Sequence, residues 1–265
     1  MKKIRRSKLR LFLGTLFYTF KKHLEWRSPF ITFAKRIPNY LPHSIFTHKS
    51  LLLRKLKNVD MWMQQNKVQN LKIAIAKLDK ITINPGETFS YWKYIGNPTS
   101  KKGYLEGMVL KDGKVYAGVG GGLCQLSNLI YWMTLHTPLT VVERWRHSYD
   151  VFPDANRTQP FGSGATCSYP NIDLQITNYT HQKFQLKLSL TDTHLVGEWL
   201  SDNPINYRYE IFETDHSIKQ EYLLGYVRSN KLYRKVIDLN SNQETATEYI
   251  TRNVAFMMYD PYLEN

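Results

Sequence analysis

The chain has 265 residues, 42 % of them hydrophobic and 14 % aromatic, which is enough apolar material for a folded core and excludes an intrinsically disordered protein. Its formal net charge of +14 sits at one end. Residues 1–57 carry fifteen Lys or Arg and one acid, Glu25, whereas residues 58–265 balance 21 basic against 21 acidic side chains. A neutral body with a basic arm suits an anionic membrane surface or, equally, a solvated arm with no specific partner, and no helix-turn-helix, zinc-finger or RNP pattern points to nucleic acid.

Taken in order, a basic start (Lys2, Lys3, Arg5, Arg6, Lys8, Arg10) precedes the apolar run Leu11 to Phe20. A run of ten residues is too short to span a bilayer, and Lys21-Lys22-His23 stands where a secretory signal has its small-residue cleavage site. The pattern predicts a basic amphipathic or interfacial helix, with an atypical export signal as the alternative. The expected location is membrane-associated, on the cytoplasmic face or outside after export. Prolines 29, 38 and 42 predict a loop-rich connection from Pro29 to His48, and Leu51 to Leu56 reads as the start of a short helix. Leu71, Ile75 and Leu78 with Ala74 and Ala76 predict an amphipathic helix over 66–80. A short strand at Ile81–Ile83 and a turn at Asn84-Pro85-Gly86 follow, and Phe89 to Ile95 reads as extended.

Lys111-Asp112-Gly113 is a hairpin signal between strands at Gly103–Leu110 and Lys114–Gly118. Next comes Gly118-Val119-Gly120-Gly121-Gly122-Leu123-Cys124-Gln125, and then Leu126, Leu129, Ile130 and Met133 at helical spacing. This helix runs to about His136, where Thr137-Pro138 stops it. Leu139 to Trp145 reads as β and delivers Arg146-His147-Ser148; a turn-rich stretch spans Pro153 to Gly164, followed by strands near Ala165–Tyr169 and Ile172–Thr177. Beyond Thr180 the pattern is almost purely β: Phe184–Leu190, Leu195–Leu200, Tyr207–Phe212, Tyr222–Val227, Leu232–Ile237 and Ala246–Ala255. Helices early and strands late define an α+β fold, with a helix–strand core carrying the glycine-rich loop and the cysteine helix, and a β-rich C-terminal region. The expected divisions are a basic arm and linker (1–57), a core domain (58–180) and a β-rich extension packed on the core (181–265).

Three glycines feeding a cysteine at a helix start form a sterically bare approach to a thiol, and the helix terminus favours its anionic form. Cys167 lies 43 residues on in a strand-like context and reads as a small buried hydrophobe, so Cys124 is expected as a free thiol. His147 follows Cys124 by 23 residues, across one helix, one turn and one strand, a route that can return an imidazole to the helix N-terminus. Asp150, Asp154 and Asp173 are the carboxylates that could orient it. Gln125, Ser127 and Asn128 occupy the helix's first turns, where they could hydrogen-bond a substrate, and an oxyanion hole could form from the N–H groups of Cys124 and of Gly121 or Gly122, beside Gly120. The residues alone leave two readings open, a thiol nucleophile or a tight structural turn. No P-loop, Rossmann or zinc pattern occurs, so neither cofactor nor metal is implied.

Pro85-Gly86-Glu87-Thr88-Phe89-Ser90, Gly103-Tyr104, Gly120 to Ser127, His147, Ala165-Thr166, Asp173-Leu174 and Asn178 together resemble the signature of the VanW family over about residues 60–180. The resemblance implies a link to peptidoglycan metabolism and vancomycin resistance. In some members it implies L,D-transpeptidase activity dependent on the cysteine matching Cys124. On that pattern Cys124 is the nucleophile, His147 the base and Asp173 the orienting group, and acyl transfer runs through a thioester on a stem peptide or cell-wall precursor. Two rival readings are a non-enzymatic accessory protein that binds such precursors at the membrane, and a cytosolic thiol amidase.

Overall fold

The computed structural model describes residues 7–54, 59–152, 159–221 and 225–262. Its helices are α1 (Lys8–Glu25), α2 (Met61–Leu78), α3 (Tyr91–Ile95) and α4 (Cys124–Leu135). Five strands form the central antiparallel sheet in the order β1 (Lys35–Arg36), β3 (Ile81–Ile83), β10 (Phe184–Leu190), β11 (His194–Ser201) and β2 (His43–Leu51). A three-stranded sheet joins β4 (Thr88–Ser90), β9 (Gln175–Thr177) and β7 (Thr140–Glu143), and β5 (Glu106–Lys111) pairs with β6 (Lys114–Val119) in a hairpin. The fourth sheet runs β12 (Tyr207–Glu221), β13 (Gly225–Asp238), β14 (Glu244–Met257) and β8 (Tyr149–Asp150), the last pair parallel. The fold is α+β with a β-rich C-terminal region, as the pattern predicts.

The central sheet takes β1 and β2 from the expected arm, β3 from the expected core and β10–β11 from the expected extension, so the boundaries at 57 and 180 run through one sheet. Helix α4 lies on β11 and β2. Leu126, Leu129, Ile130, Met133 and Leu135 are all buried, and a helix apolar on nearly every side belongs inside a domain. Each such side chain contributes about 1.5–3 kcal/mol through burial. Gly197 permits this packing, since a Cβ there would stand 2.6 Å from the Met133 methyl carbon. Trp199, fully buried, donates from Nε1 to Thr134 Oγ1 at 3.2 Å.

Several local expectations give way to long-range pairing. The stretch from Pro29 to His48 contains β1 and most of β2, because Pro42 precedes β2, an edge strand, without interrupting its ladder with β11. Leu51 ends that strand where a helix start was expected; residues 55–58 lie outside the described residues. The aromatic run at 89–95 splits into β4 and α3, since Ser90 Oγ caps Lys93 N and Asp173 Oδ1 accepts from Trp92 N. Ala165–Tyr169 is irregular chain with one bridge, Ser168 to Ile172.

Candidate functional site

The hairpin closes through Asp112 (φ 50°) and Gly113 (φ 74°), a pair of left-handed residues that matches strand twist in a two-residue turn. At its other end Gly121 lies so close to Gly107 that a Cβ on Gly121 would meet the Gly107 carbonyl carbon at 2.1 Å. Gly122, at φ +87°, lies against the stem of Lys67. Asn70 holds the junction from α2, donating to Gly121 O (2.9 Å) and Leu105 O (3.0 Å) and accepting from Leu105 N (2.8 Å). The three glycine N–H groups are engaged: Gly120 with Leu105 O, Gly121 with Gly118 O and Gly122 with Met108 O. The oxyanion donors expected at Gly121 and Gly122 are therefore already hydrogen-bonded. Among the described residues, only the N–H groups of Leu123 and Cys124 leave this turn without a backbone carbonyl acceptor.

Cys124 opens α4 as anticipated, and both cysteines are free thiols. As a residue Cys124 keeps some surface, but its sulfur is turned inward and donates to the Cys167 carbonyl at 3.6 Å. Burial pushes this thiol up from 9.0, against the opposing pull of backbone groups of Cys167 and of Cys124 itself. Desolvation thus outweighs the helix terminus, and the resting site holds a neutral thiol where sequence reasoning expected a thiolate. Cys167 is buried, as expected of a small hydrophobe, with its thiol pushed well above the ordinary value by burial.

His147 lies between β7 and β8 and has no hydrogen-bond partner among the described residues. Burial, with the neighbouring Arg146 charge, holds its imidazole below 6.5 and so neutral near pH 7. Its chain neighbours pair with the C-terminal sheet: Phe256 N donates to Ser148 O at 2.9 Å, and Arg146 Nη1 donates to Val254 O at 3.4 Å. The described hydrogen bonds include none between His147 and Cys124.

The expected orienting carboxylates have other partners. Asp173, fully buried, accepts from Ser90 Oγ (2.6 Å), Trp92 N (2.9 Å) and Leu174 N (2.9 Å), and Lys22 Nζ lies 3.7 Å away. It caps α3 and carries a counter-charge from α1, with no contact to His147. Burial raises its pKa to about 6, against the bonds from Ser90 and Trp92 and the Lys22 charge. Asp150 pairs with Arg228 at 3.6 Å and accepts from the Tyr259 hydroxyl at 3.1 Å; Asp154 lies outside the described residues.

The polar residues of α4's first turns serve the scaffold. Gln125 Nε2 donates to Ser50 Oγ (2.9 Å) and Leu51 O (2.8 Å), fastening α4 to β2. The Ser127 hydroxyl reaches Ala165 O (2.7 Å) and Cys124 O (3.1 Å), and Asn128 Oδ1 accepts from Ala165 N (2.8 Å). They fix the irregular segment that brings Cys167 to Cys124. Its other side is held by Arg144, which donates to Gly164 O at 2.8 Å, and by Asn230, which donates to Phe161 O at 2.8 Å. The C-terminal sheet is thus part of the site's frame.

Two groups escape the sequence pattern. Tyr91, fully buried, donates to Leu123 O at 2.9 Å beneath the head of α4. Lys67 is 6 % exposed, bonds Gln64 Oε1 at 2.7 Å, and is lowered to about 8 by burial and the Arg54 charge. Gln64, Lys67 and Asn70 recur every third residue of α2, and polar residues in such a row beside Leu71 and Ala74 were the available signal. A groove of about 740 Å³ lined by Phe46, His136, Ile205 and Tyr209 opens at the far end of α4. Twelve helical residues, or about 18 Å, separate it from Cys124. No group of three or more His, Cys, Asp or Glu suited to a metal occurs among the described residues.

The fold and site define an α+β domain in which a glycine-rich hairpin leads into a cysteine-headed buried helix. Residues 66–200 match the family described as VanW like protein, and the chain belongs to that family. It is 37 % identical over 171 residues to the vancomycin B-type resistance protein VanW of Enterococcus faecalis (strain ATCC 700802 / V583), covering 64 % of this chain and 62 % of that protein. It is 26 % identical over 144 residues to the uncharacterized protein YoaR of Bacillus subtilis (strain 168), covering 54 % and 46 %. The chain thus spans less than two thirds of the length of both curated relatives. No solved structure matches it.

Proposed function

We propose that this VanW-family chain acts in peptidoglycan metabolism linked to vancomycin resistance, as a cysteine-dependent acyl transferase of the L,D-transpeptidase type. One observation carries the reading: Cys124 heads α4 beside two N–H groups, its own and that of Leu123, that have no backbone carbonyl acceptor. An acyl oxygen placed there would find donors for its developing charge. Cys124 Sγ attacks the carbonyl carbon of a stem peptide, forming a C–S bond, while the thiol proton passes to the neutral imidazole of His147. The C–N bond breaks, the departing amine takes that proton, and a second stem's amine displaces the sulfur and returns a proton to it. Because the resting thiol is neutral and bonded to Cys167, substrate must displace that bond and bring Cys124 and His147 into reach.

The raised thiol and the missing Cys124–His147 bond favour a second reading, an accessory protein that binds cell-wall precursors without turnover. Incubating purified protein with muropeptides separates the readings. The transferase makes crosslinked dimers and Cys124→Ala, with unchanged melting, makes none; full activity of that variant rejects the nucleophile. Binding without products marks the accessory protein, and released stem fragments without crosslinks mark a thiol amidase.

A further inference from the structure

Helix α1 is divided between two environments. Phe12, Leu13, Leu16, Phe17, Phe20 and Leu24 fall on one stripe at helical spacing, and each is 50–64 % exposed. Lys22 and Trp26 are 6 % and 8 % exposed. Both belong to the end of the helix; one turn earlier on the face of Lys22, Tyr18 is still 56 % exposed, so the last turn alone enters the body. No helix among the described residues is long and apolar enough to cross a membrane.

The last turn is fastened by specific bonds. Lys22 Nζ meets Glu143 Oε2 at 2.6 Å, Glu25 Oε1 at 3.1 Å and the fully buried Asp173 Oδ2 at 3.7 Å. Trp26 Nε1 donates to Ser90 Oγ at 3.0 Å, and Lys93 Nζ donates to Trp26 O at 2.6 Å. The His23 ring meets the Tyr169 hydroxyl at 3.2 Å. Removing this turn would strip the Lys22 counter-charge from Asp173 and uncover part of the core. It is a component of the fold, unlike a detachable leader.

We infer that α1 is a retained interfacial anchor, its last turn built into the domain and its apolar stripe seated in an anionic lipid surface. Charge complementarity selects that occupant. Six of the first ten residues of the sequence are basic, Lys21 and Arg27 follow at the other end, and the sole acid of residues 1–57, Glu25, is engaged by Lys22. A stripe flanked by cations and facing away from the body is the arrangement that settles in a headgroup layer. The helix end touches Tyr169, two residues from Cys167, so the anchor holds the thiol-bearing segment close to that layer. This inference does not depend on what Cys124 does.

The test is co-sedimentation of the full chain with phosphatidylglycerol-containing vesicles and with pure phosphatidylcholine. Sedimentation with the anionic vesicles should weaken at high salt and fall at least tenfold in L13E/F17E. Emission from the F12W variant should shift to the blue on adding anionic vesicles. Absence of anionic-vesicle binding, or equal binding by L13E/F17E, overturns the anchor. So does a concentration-dependent dimer abolished by L13E/F17E in a chain that ignores vesicles. The intact mass of protein recovered from producing cells should include residues 8–25, and a mature chain beginning after Phe20 overturns retention. Thermal melting of L13E/F17E should match the parent because both side chains are exposed.

Discussion

The thiol of Cys124 donates to the backbone carbonyl of Cys167 at 3.6 Å, tying the head of α4 to an irregular segment 43 residues further on. Burial keeps the sulfur protonated at neutral pH, against the downward pull of backbone groups of Cys167 and of Cys124 itself. Alkylation by iodoacetamide should therefore be slow near pH 7 and accelerate up to and beyond pH 9, with Cys167 slower still. Mass mapping of labelled peptides across pH gives both rates. Fast labelling of Cys124 at pH 7 in the absence of substrate would contradict the protonated thiol.

Gly121 and Gly86 make a matched pair for testing the hairpin junction. Gly121→Ala drives a Cβ into the Gly107 backbone and should cost about 1–3 kcal/mol or more. Gly86→Ala meets no atom within 4 Å and carries only the strain of φ +79°, roughly 1–2 kcal/mol. Urea denaturation midpoints should rank the two in that order; equal losses would mean the glycine contact is not tight in solution.

Lys22 faces one fully buried and two partly buried carboxylates, so Lys22→Met should destabilise the fold by about 3 kcal/mol through the charge left behind on Asp173. Burial works to lower the lysine's pKa, but the Glu143 bond and the Asp173 and Glu143 charges outweigh it, and the net direction is up. The K22M/D173N double variant should recover part of the loss. A strictly additive double variant in calorimetry would show that the two residues are not coupled.

Asp173 and His136 should give opposite pH slopes. Folded Asp173 holds its proton up to about 6, whereas its ordinary value is 3.8, so the folded state binds more protons in between. Its contribution to stability declines as pH rises through that window and is level above it. His136 is lowered to about 4 from 6.5, by burial first and by the His48 and Arg234 charges, against the bond to Tyr209 O. Its contribution is present above 6.5 and is lost as pH falls toward 4. Melting temperatures of Asp173→Asn and His136→Phe, each subtracted from the parent between pH 4 and 7, should slope in opposite directions; parallel slopes would refute the assignment.

The parts legible in the sequence are those fixed by neighbours along the chain. Asp112-Gly113 sets the hairpin by its own dihedral preference, and the apolar spacing of α4 needs no information from elsewhere. What escaped depends on distant acceptors. Asp173 meets Ser90 and Trp92 across more than eighty residues, so neither the capping of α3 nor the separation of Asp173 from His147 could be read locally. The pattern ends one strand at Phe212, yet β12 continues to Glu221 through an irregularity between Thr214 and Ser217, where Asp215 adopts φ 53°. Cross-strand pairing with β13 overrides the weak local signal there.

The central sheet sets an order of events during synthesis. Helix α4 rests on β11 and β2, and β2 is held by β11, so the bed for the cysteine helix is complete only once Ser201 has been made. Cys124 and Cys167 are both synthesised before then. At about 5–20 residues per second, the stretch from Cys167 to Ser201 takes roughly 2–7 s. During that interval Cys124 lacks the bed on which its helix rests and its thiol lies open to oxidants, a hazard that ends when β11 closes between β10 and β2.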